Sequence, residues 1–501
     1  MSKYTQKENG GLYELTDSAR AELVDSKYYN TDLAPTSLAQ RTWTTYNIAS
    51  LWIGMSVCLP SYTLASGLMT AGLSLWQAVF NVALGNLLVL IPMQLNSHAG
   101  TKYGIPYPVF ARMTFGPSGA HFPSMARAIV AAGWCGIQIW FGGGALHTII
   151  VIVVPAYAAV PGALWITFFL FWASNIWIAY SGSEAIRFLE SWGAPILGVL
   201  CIALMFWATS MATASGATIA EIVNQPSNPE ALLKGGGFWT VFMVGLTGNI
   251  SFWATLALNI PDFSRYAKNQ KAQFRGQLYG LPTTMAAFAF VGAYVTSATI
   301  FIYGAPIFDP VAVIAKIENP IAGILGAIGI IIATLTTNIA ANIIAPANGL
   351  TNISPKRITY KHGVLITGVV AVVMQPWQIM ASGVNFFGWL GTYGIMLGPL
   401  AGIYIADYYI VKKRNIDVMA LYQGKEGRYW YTNGFNVKAL VSWGVACLFP
   451  VLGMFIPSMS MFYNNGYAIS FLVGMFLYIL LMKSETTSFI TQEQEDAMTE
   501  R

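Results

Sequence analysis

The chain has 501 residues, of which 55% are hydrophobic and only 9% charged, with a net charge of +5. Soluble globular proteins carry about 25% charged residues, so this composition excludes a soluble domain and points to a polytopic membrane protein. The four cysteines, Cys58, Cys135, Cys201 and Cys447, all lie in apolar stretches and read as buried small hydrophobes, neither a disulfide set nor a zinc site.

Residues 1–43 are polar and mixed in charge. They lack the basic-then-apolar pattern of a signal peptide and read as a cytoplasmic tail. Crossing a bilayer takes about 20 apolar residues. Twelve runs qualify: 44–70, 73–97, 125–154, 161–182, 188–211, 238–259, 277–303, 321–345, 361–380, 383–411, 438–457 and 465–483. An even number puts both termini on one side. With loops assigned alternately, that side takes 24 of the 26 Lys and Arg residues, leaving only Lys234 and Lys316 opposite. Such asymmetry marks the terminal side as cytoplasmic. The segment 98–116 alternates Gly, Pro and aromatic residues with single charges and reads as a packed re-entrant or interfacial element. Asp262 and Arg265, after span 6, are expected to pair with each other or with that segment.

Span 1 carries Gly54, Ser56, Pro60 and Ser61 near its middle, and span 6 carries Gly245, Gly248, Asn249 and Ser251. Proline removes a backbone hydrogen bond, and freed carbonyls are tolerated in a membrane only beside protein or a cavity. Interruptions at matching positions of two halves are the sequence mark of an inverted-repeat transporter. In span 3, Trp134 and Gln138 are four apart and share a face. An indole beside an amide suits a flat polar ring, and an interhelical Gln clamp is the competing role. Trp253 in span 6 offers a second aromatic plane.

Span 8 is apolar yet holds Thr334, Thr336, Thr337, Asn338 and Asn342. An unpartnered polar group in hydrocarbon costs roughly 2–7 kcal/mol, so these groups need partners. Ala333, Thr336 and Thr337 line one face, and two hydroxyls with carbonyls of a broken neighbour make an uncharged oxygen cage suited to Na⁺. Hydroxyls bonded back to their own helix are the alternative. On an ideal helix Asn338 and Asn342 point away from the threonines, which predicts either a helix wedged between two sites or a distortion near Asn338.

No span has Asp, Glu, Lys or Arg near its middle, and His147 is the one ionisable residue well inside. That pattern argues against a membrane-embedded enzyme, against a pump built on carboxylate relays and against a channel with charged rings. His147 reads as a packing residue, with proton carriage as the alternative.

Trp52-Ile-Gly-Met-Ser, His98-Ala-Gly-Thr-Lys-Tyr-Gly-Ile-Pro-Tyr-Pro, Trp134-Cys-Gly-Ile-Gln, Asn259-Ile-Pro-Asp-Phe-Ser-Arg, Thr336-Thr-Asn-Ile-Ala-Ala-Asn, Leu397-Gly-Pro-Leu-Ala-Gly and Ala406-Asp-Tyr-Tyr run through most of the chain in order. Together they resemble the nucleobase–cation symporter-1 family, and within it the bacterial hydantoin and allantoin permeases. The resemblance implies an all-α integral membrane protein with a leucine-transporter-type fold: twelve transmembrane helices in two inverted five-helix repeats plus two C-terminal helices. The divisions are then a tail 1–43, a first repeat 44–213, an extracellular linker 214–236, a second repeat 237–411, a cytoplasmic linker 412–437, two helices in 438–483 and a cytoplasmic tail 484–501. It also implies a symporter of the bacterial cytoplasmic membrane, monomeric, without cofactor or nucleic-acid partner. The cargo would be a small planar N-heterocycle such as hydantoin, allantoin or uracil, coupled to Na⁺. A proton-coupled purine, cytosine or vitamin-type permease of the same family is the alternative.

By motif position, Trp134 and Trp253 would sandwich the ring, and Gln138 and Asn342 would bond its edges with help from Asn338. Gly54, Val57 and Ala333 would give carbonyls to Na⁺, and Thr336 and Thr337 hydroxyls. Two positions depart from the family's hydantoin transporter: Cys58 stands in place of a glutamine and Phe252 in place of a glycine. Both replacements bear on which ring fits.

Overall fold

The computed structural model describes residues 5–7, 11–29, 31–181, 183–353, 358–483 and 485. The expected tail 484–501 lies outside these, Glu485 excepted. Each of the twelve expected spans falls on a helix or a helix pair. Span 1 is Thr45–Ser56 and Leu59–Thr70, bent by 58°. Spans 2 to 5 are Leu75–Tyr103, His121–Val153, Ala163–Ser181 and Ser183–Ala214. Span 6 is Phe238–Phe252 followed by Ala254–Asn259, and span 7 is Gln270–Tyr303. Span 8 runs as α-helix over Pro320–Thr337, as π-helix over Asn338–Ile344 and as α-helix again over Ala345–Ile353. Spans 9 to 12 are Tyr360–Val373, Gly383–Val411, Val437–Phe455 and Gly466–Leu481. Among the described residues eight helices are long and apolar enough to cross a membrane, or ten counting bent pairs. The first part of span 6 and span 9 are shorter, at 15 and 14 residues.

Small residues let the helices approach. In span 7, Gly276 and Gly280 receive Ile48, Ala49 and Trp52, and Gly292 lies under the Tyr62 carbonyl, so both halves of span 1 rest on one helix. Span 2 meets span 6 where Gly85 receives Asn249. There Asn81 donates to the Phe242 carbonyl at 2.7 Å and accepts from Asn249 at 2.8 Å. Spans 1, 2, 6 and 7 thus form one group. Spans 3, 4, 8 and 9 form another around buried Cys135, Phe168, Phe171, Ile343 and Ala371. In span 10, a β-carbon at Gly402 would lie 2.3 Å from the Phe471 carbonyl of span 12. That glycine serves close packing, the usual work of small residues between membrane helices.

The segment after span 2 forms a buried helix, Tyr107–Phe115. Its first amide donates to Asp262 at 2.7 Å, and the Asn259 side chain donates to the other oxygen of that carboxylate at 3.3 Å. Arg265 instead donates to the Asp32 carbonyl at 3.2 Å. Arg41 is buried and donates to the carbonyls of Tyr13, Thr36, Thr101 and Lys102. Two of these belong to the last turn of span 2, whose carbonyls lack helical partners and favour a cation. Burial lowers the Arg41 pKa to about 10, so it stays charged at neutral pH.

Candidate functional site

Span 1 stops at Ser56 because Pro60 has no N–H for the Ser56 carbonyl and the Cys58 amide turns to that carbonyl at 3.0 Å. The Gly54 carbonyl thereby loses its usual donor four residues on. In span 6 the helix ends at Phe252, and Trp253 is the joint to the next helix. The two breaks touch: Trp52 and Trp253 meet edge to face, 5.3 Å between centroids.

Between the two helix groups lies a cavity of about 760 Å³. Gly54, Trp134, Thr336, Thr337 and Asn342 line its walls, and Asp32, Arg127, Asp262 and Arg265 its mouth. The mouth is therefore on the side bearing the basic loops. The opposite end is sealed. A β-carbon at Gly383 would lie 2.9 Å from the Gly67 Cα, and Gly67 also receives the rings of Phe308 and Phe387.

The distortion of span 8 explains how one helix presents both polar stripes. In an α-helix residues five apart diverge by about 140°. A π-helix bonds i to i+5 and stacks them, so Thr337 and Asn342 face the same cavity. Asn338 points elsewhere. Its amide donates to Asn175 of span 4 at 2.9 Å, and its oxygen accepts from Asn342 at 3.3 Å. Asn175 in turn donates to the Phe171 carbonyl at 2.8 Å. Three asparagines thus form one chain, with Asn342 at its open end.

Trp134 is buried and touches Phe252 edge to face at 4.8 Å, and Phe252 touches Trp253 the same way at 5.0 Å. The Phe252 ring is therefore wedged between the two tryptophans. The Gln138 Oε1 and the Trp253 indole N–H are buried without a hydrogen-bond partner among the described residues. Leaving such a group unpaired costs about 1–3 kcal/mol. Gln138, Trp253, Phe252 and Asn338 are not among the residues that line the large cavity in this conformation.

Of the expected oxygen ligands, Gly54, Thr336 and Thr337 border the cavity, whereas Val57 and Ala333 are buried behind it. The Thr336 hydroxyl donates to the Ala333 carbonyl at 2.9 Å. Cys58, expected to face a ring, borders a separate cavity. His147 lies beside Tyr157, off the large cavity. Sequence reasoning missed Asn175 and also Trp389 of span 10, whose ring meets Trp134 at 4.9 Å. Among 16 tryptophans nothing marks Trp389.

Two broken helices meeting at a central cavity open on one side have the architecture of a multi-pass membrane transporter. Solved structures agree. Mhp1, a nucleobase-cation-symport-1 family transporter, matches in its inward-facing conformation with a TM-score of 0.76 and 26% identity, covering 92% of this chain and 97% of that one. In its closed conformation with bromovinylhydantoin bound, the TM-score is 0.73 at 25% identity, with the same coverage. Residues 35–474 match the family described as permease for cytosine/purines, uracil, thiamine, allantoin, and the chain belongs to that family. The purine-uracil permease NCS1 of Arabidopsis thaliana is 39% identical over 91% of this chain and 78% of its own. The allantoin permease of Bacillus subtilis (strain 168) is 37% identical over 91% and 93%.

Proposed function

We propose that this permease imports a small planar N-heterocycle, hydantoin, allantoin or a pyrimidine such as uracil, together with Na⁺, by alternating access. The observation that carries the reading is the single cavity that joins Trp134 and Asn342 to Gly54, Thr336 and Thr337. Trp134 and Trp253 supply ring faces, while Gln138 and Asn342 supply amide groups for the ring's N–H and C=O edges. Phe252 shortens the slot between the tryptophans and favours compact rings over those with bulky substituents. Na⁺ suits the hydroxyl and carbonyl oxygens at the break of span 1, and its binding there would order that break before the ring arrives. Each ligand then raises affinity for the other.

Transport proceeds by rocking of spans 1, 2, 6 and 7 against spans 3, 4, 8 and 9. The basic side is cytoplasmic, which makes the present conformation inward-facing, with both termini inside a bacterial cytoplasmic membrane and the chain working as a monomer. The Thr336–Ala333 hydrogen bond favours the second reading, proton coupling, because it engages the Ala333 carbonyl, one of the expected oxygen ligands, within its own helix. Proteoliposome uptake of radiolabelled allantoin and uracil tests both. Saturable accumulation driven by an inward Na⁺ gradient supports the first reading. Accumulation driven only by a proton gradient selects the second, and product formation without accumulation rejects both.

A further inference from the structure

The second cavity has a volume of about 240 Å³ and lies between spans 1, 5, 7 and 8. Its wall is aliphatic and aromatic apart from the thiols of Cys58 and Cys201 and the phenol of Tyr62. A buried water needs two to four polar partners, and apolar cavities of roughly 150 Å³ stay dry and take benzene-sized molecules. This wall therefore selects an apolar occupant larger than benzene.

The mouth says where that occupant comes from. Ala203 of span 5 and Ala322 of span 8 both line the cavity and are exposed on the outer surface. Their neighbours Ile202 and Ile321 are 59% and 70% exposed. These are flanks of membrane spans, so the opening between two alanines faces hydrocarbon and not water. The inner end is Cys58, the N-terminal cap of the second half of span 1. The cavity thus reaches from the bilayer to the hinge of the broken helix.

We propose that this cavity is a lipid-tail site: an acyl chain of a bilayer phospholipid enters between Ala203 and Ala322 and ends against Cys58. Lipid tails are as apolar as leucine, so no hydrophobic gain drives entry. The gain comes from dispersion contacts along walls that otherwise lack partner atoms. A chain seated there touches the hinge of span 1 from behind, on the face opposite the large cavity. The site is independent of which ring is carried.

The test uses the full chain in nanodiscs containing phosphatidylcholine with a diazirine at the end of one acyl chain. After irradiation, adducts are mapped by mass spectrometry. The expected result is adducts concentrated on the segments around Cys58 and Cys201, at least fivefold above other lipid-facing segments. Ala203→Trp with Ala322→Trp, both at exposed positions, should cut those adducts at least fivefold and leave the others unchanged. A second lipid with the diazirine beside the headgroup should lose the Cys58 adducts without any substitution. Adducts spread evenly around the protein, or undiminished at Cys58 by either change, would overturn the proposal.

Discussion

The amide of Asn338 donates to Asn175 across spans 8 and 4 at 2.9 Å. Both side chains are fully buried. This bond fixes the residue that in turn receives Asn342, so the cavity-facing amide is positioned from a helix that does not line the cavity. Asn175→Ala would leave the Asn338 amide only the Cys135 sulfur at 3.6 Å and strand one N–H, at about 1–3 kcal/mol. The expected outcome is a roughly tenfold rise in the half-saturation concentration for uptake, the equivalent of about 1.4 kcal/mol, with maximal rate changed less than twofold. Initial-rate uptake over a range of substrate concentrations measures it.

The two threonines are not equivalent. Thr336 is bonded to its own helix, while the Thr337 hydroxyl has no hydrogen-bond partner among the described residues. Thr337→Val keeps the shape and removes the free oxygen. It should abolish the Na⁺ stimulation of uptake, whereas Thr336→Val should reduce it by a smaller factor. Uptake titrated with Na⁺ at fixed substrate concentration separates the two.

The sealed end depends on backbone contact between Gly67 and Gly383. Gly383→Val places branched carbon where a β-carbon alone would lie 2.9 Å from the Gly67 Cα. The seal should then fail to close, giving substrate binding without net transport. A cysteine introduced at Thr70 should become several-fold more reactive to an impermeant thiol reagent in this variant than in the parent.

Lys412 and Asp407 form an ion pair at the basic-side end of span 10, with side chains 1% and 0% exposed. Breaking a buried pair from one side strands a charge, at about 3–5 kcal/mol, while replacing both partners with apolar residues is far milder. Lys412→Met should lower the unfolding temperature markedly, and Lys412→Met with Asp407→Leu should recover most of the loss. Thermal unfolding in detergent compares them.

Much of the architecture was readable from local pattern. Hydropathy located the spans, and Pro60 marked the break of span 1, because membrane insertion and backbone bonding act over short stretches. The glycines of span 6 lie instead inside the helix Phe238–Phe252, where Gly245 receives Leu68 and Gly248 receives Phe387, and the break falls later, at Trp253. The site was legible only in part. Trp134, Gly54, Thr336, Thr337 and Asn342 share a cavity as their spacing and family likeness suggested, but the turn that aligns Thr337 with Asn342 breaks α-helical periodicity and cannot be read from it. Cys58 shows the same limit at a helix break: it is the extended cap of the second half of span 1 and borders the smaller cavity, a direction that helical spacing does not give. Asn175 is a buried amide in an apolar span, and only a distant partner gives it meaning.

A π turn holds one residue more than an α turn. Deleting one residue between Thr337 and Asn342 would therefore turn the π segment into α-helix, set the two residues four apart and still on one face, and leave Gly349 on the cavity wall. A deletion within Pro320–Thr337 has no such slack and would rotate one side of the helix against the other by about 100°. Span 8 can lose a residue of count at one turn only, and that turn is the one beside the cavity.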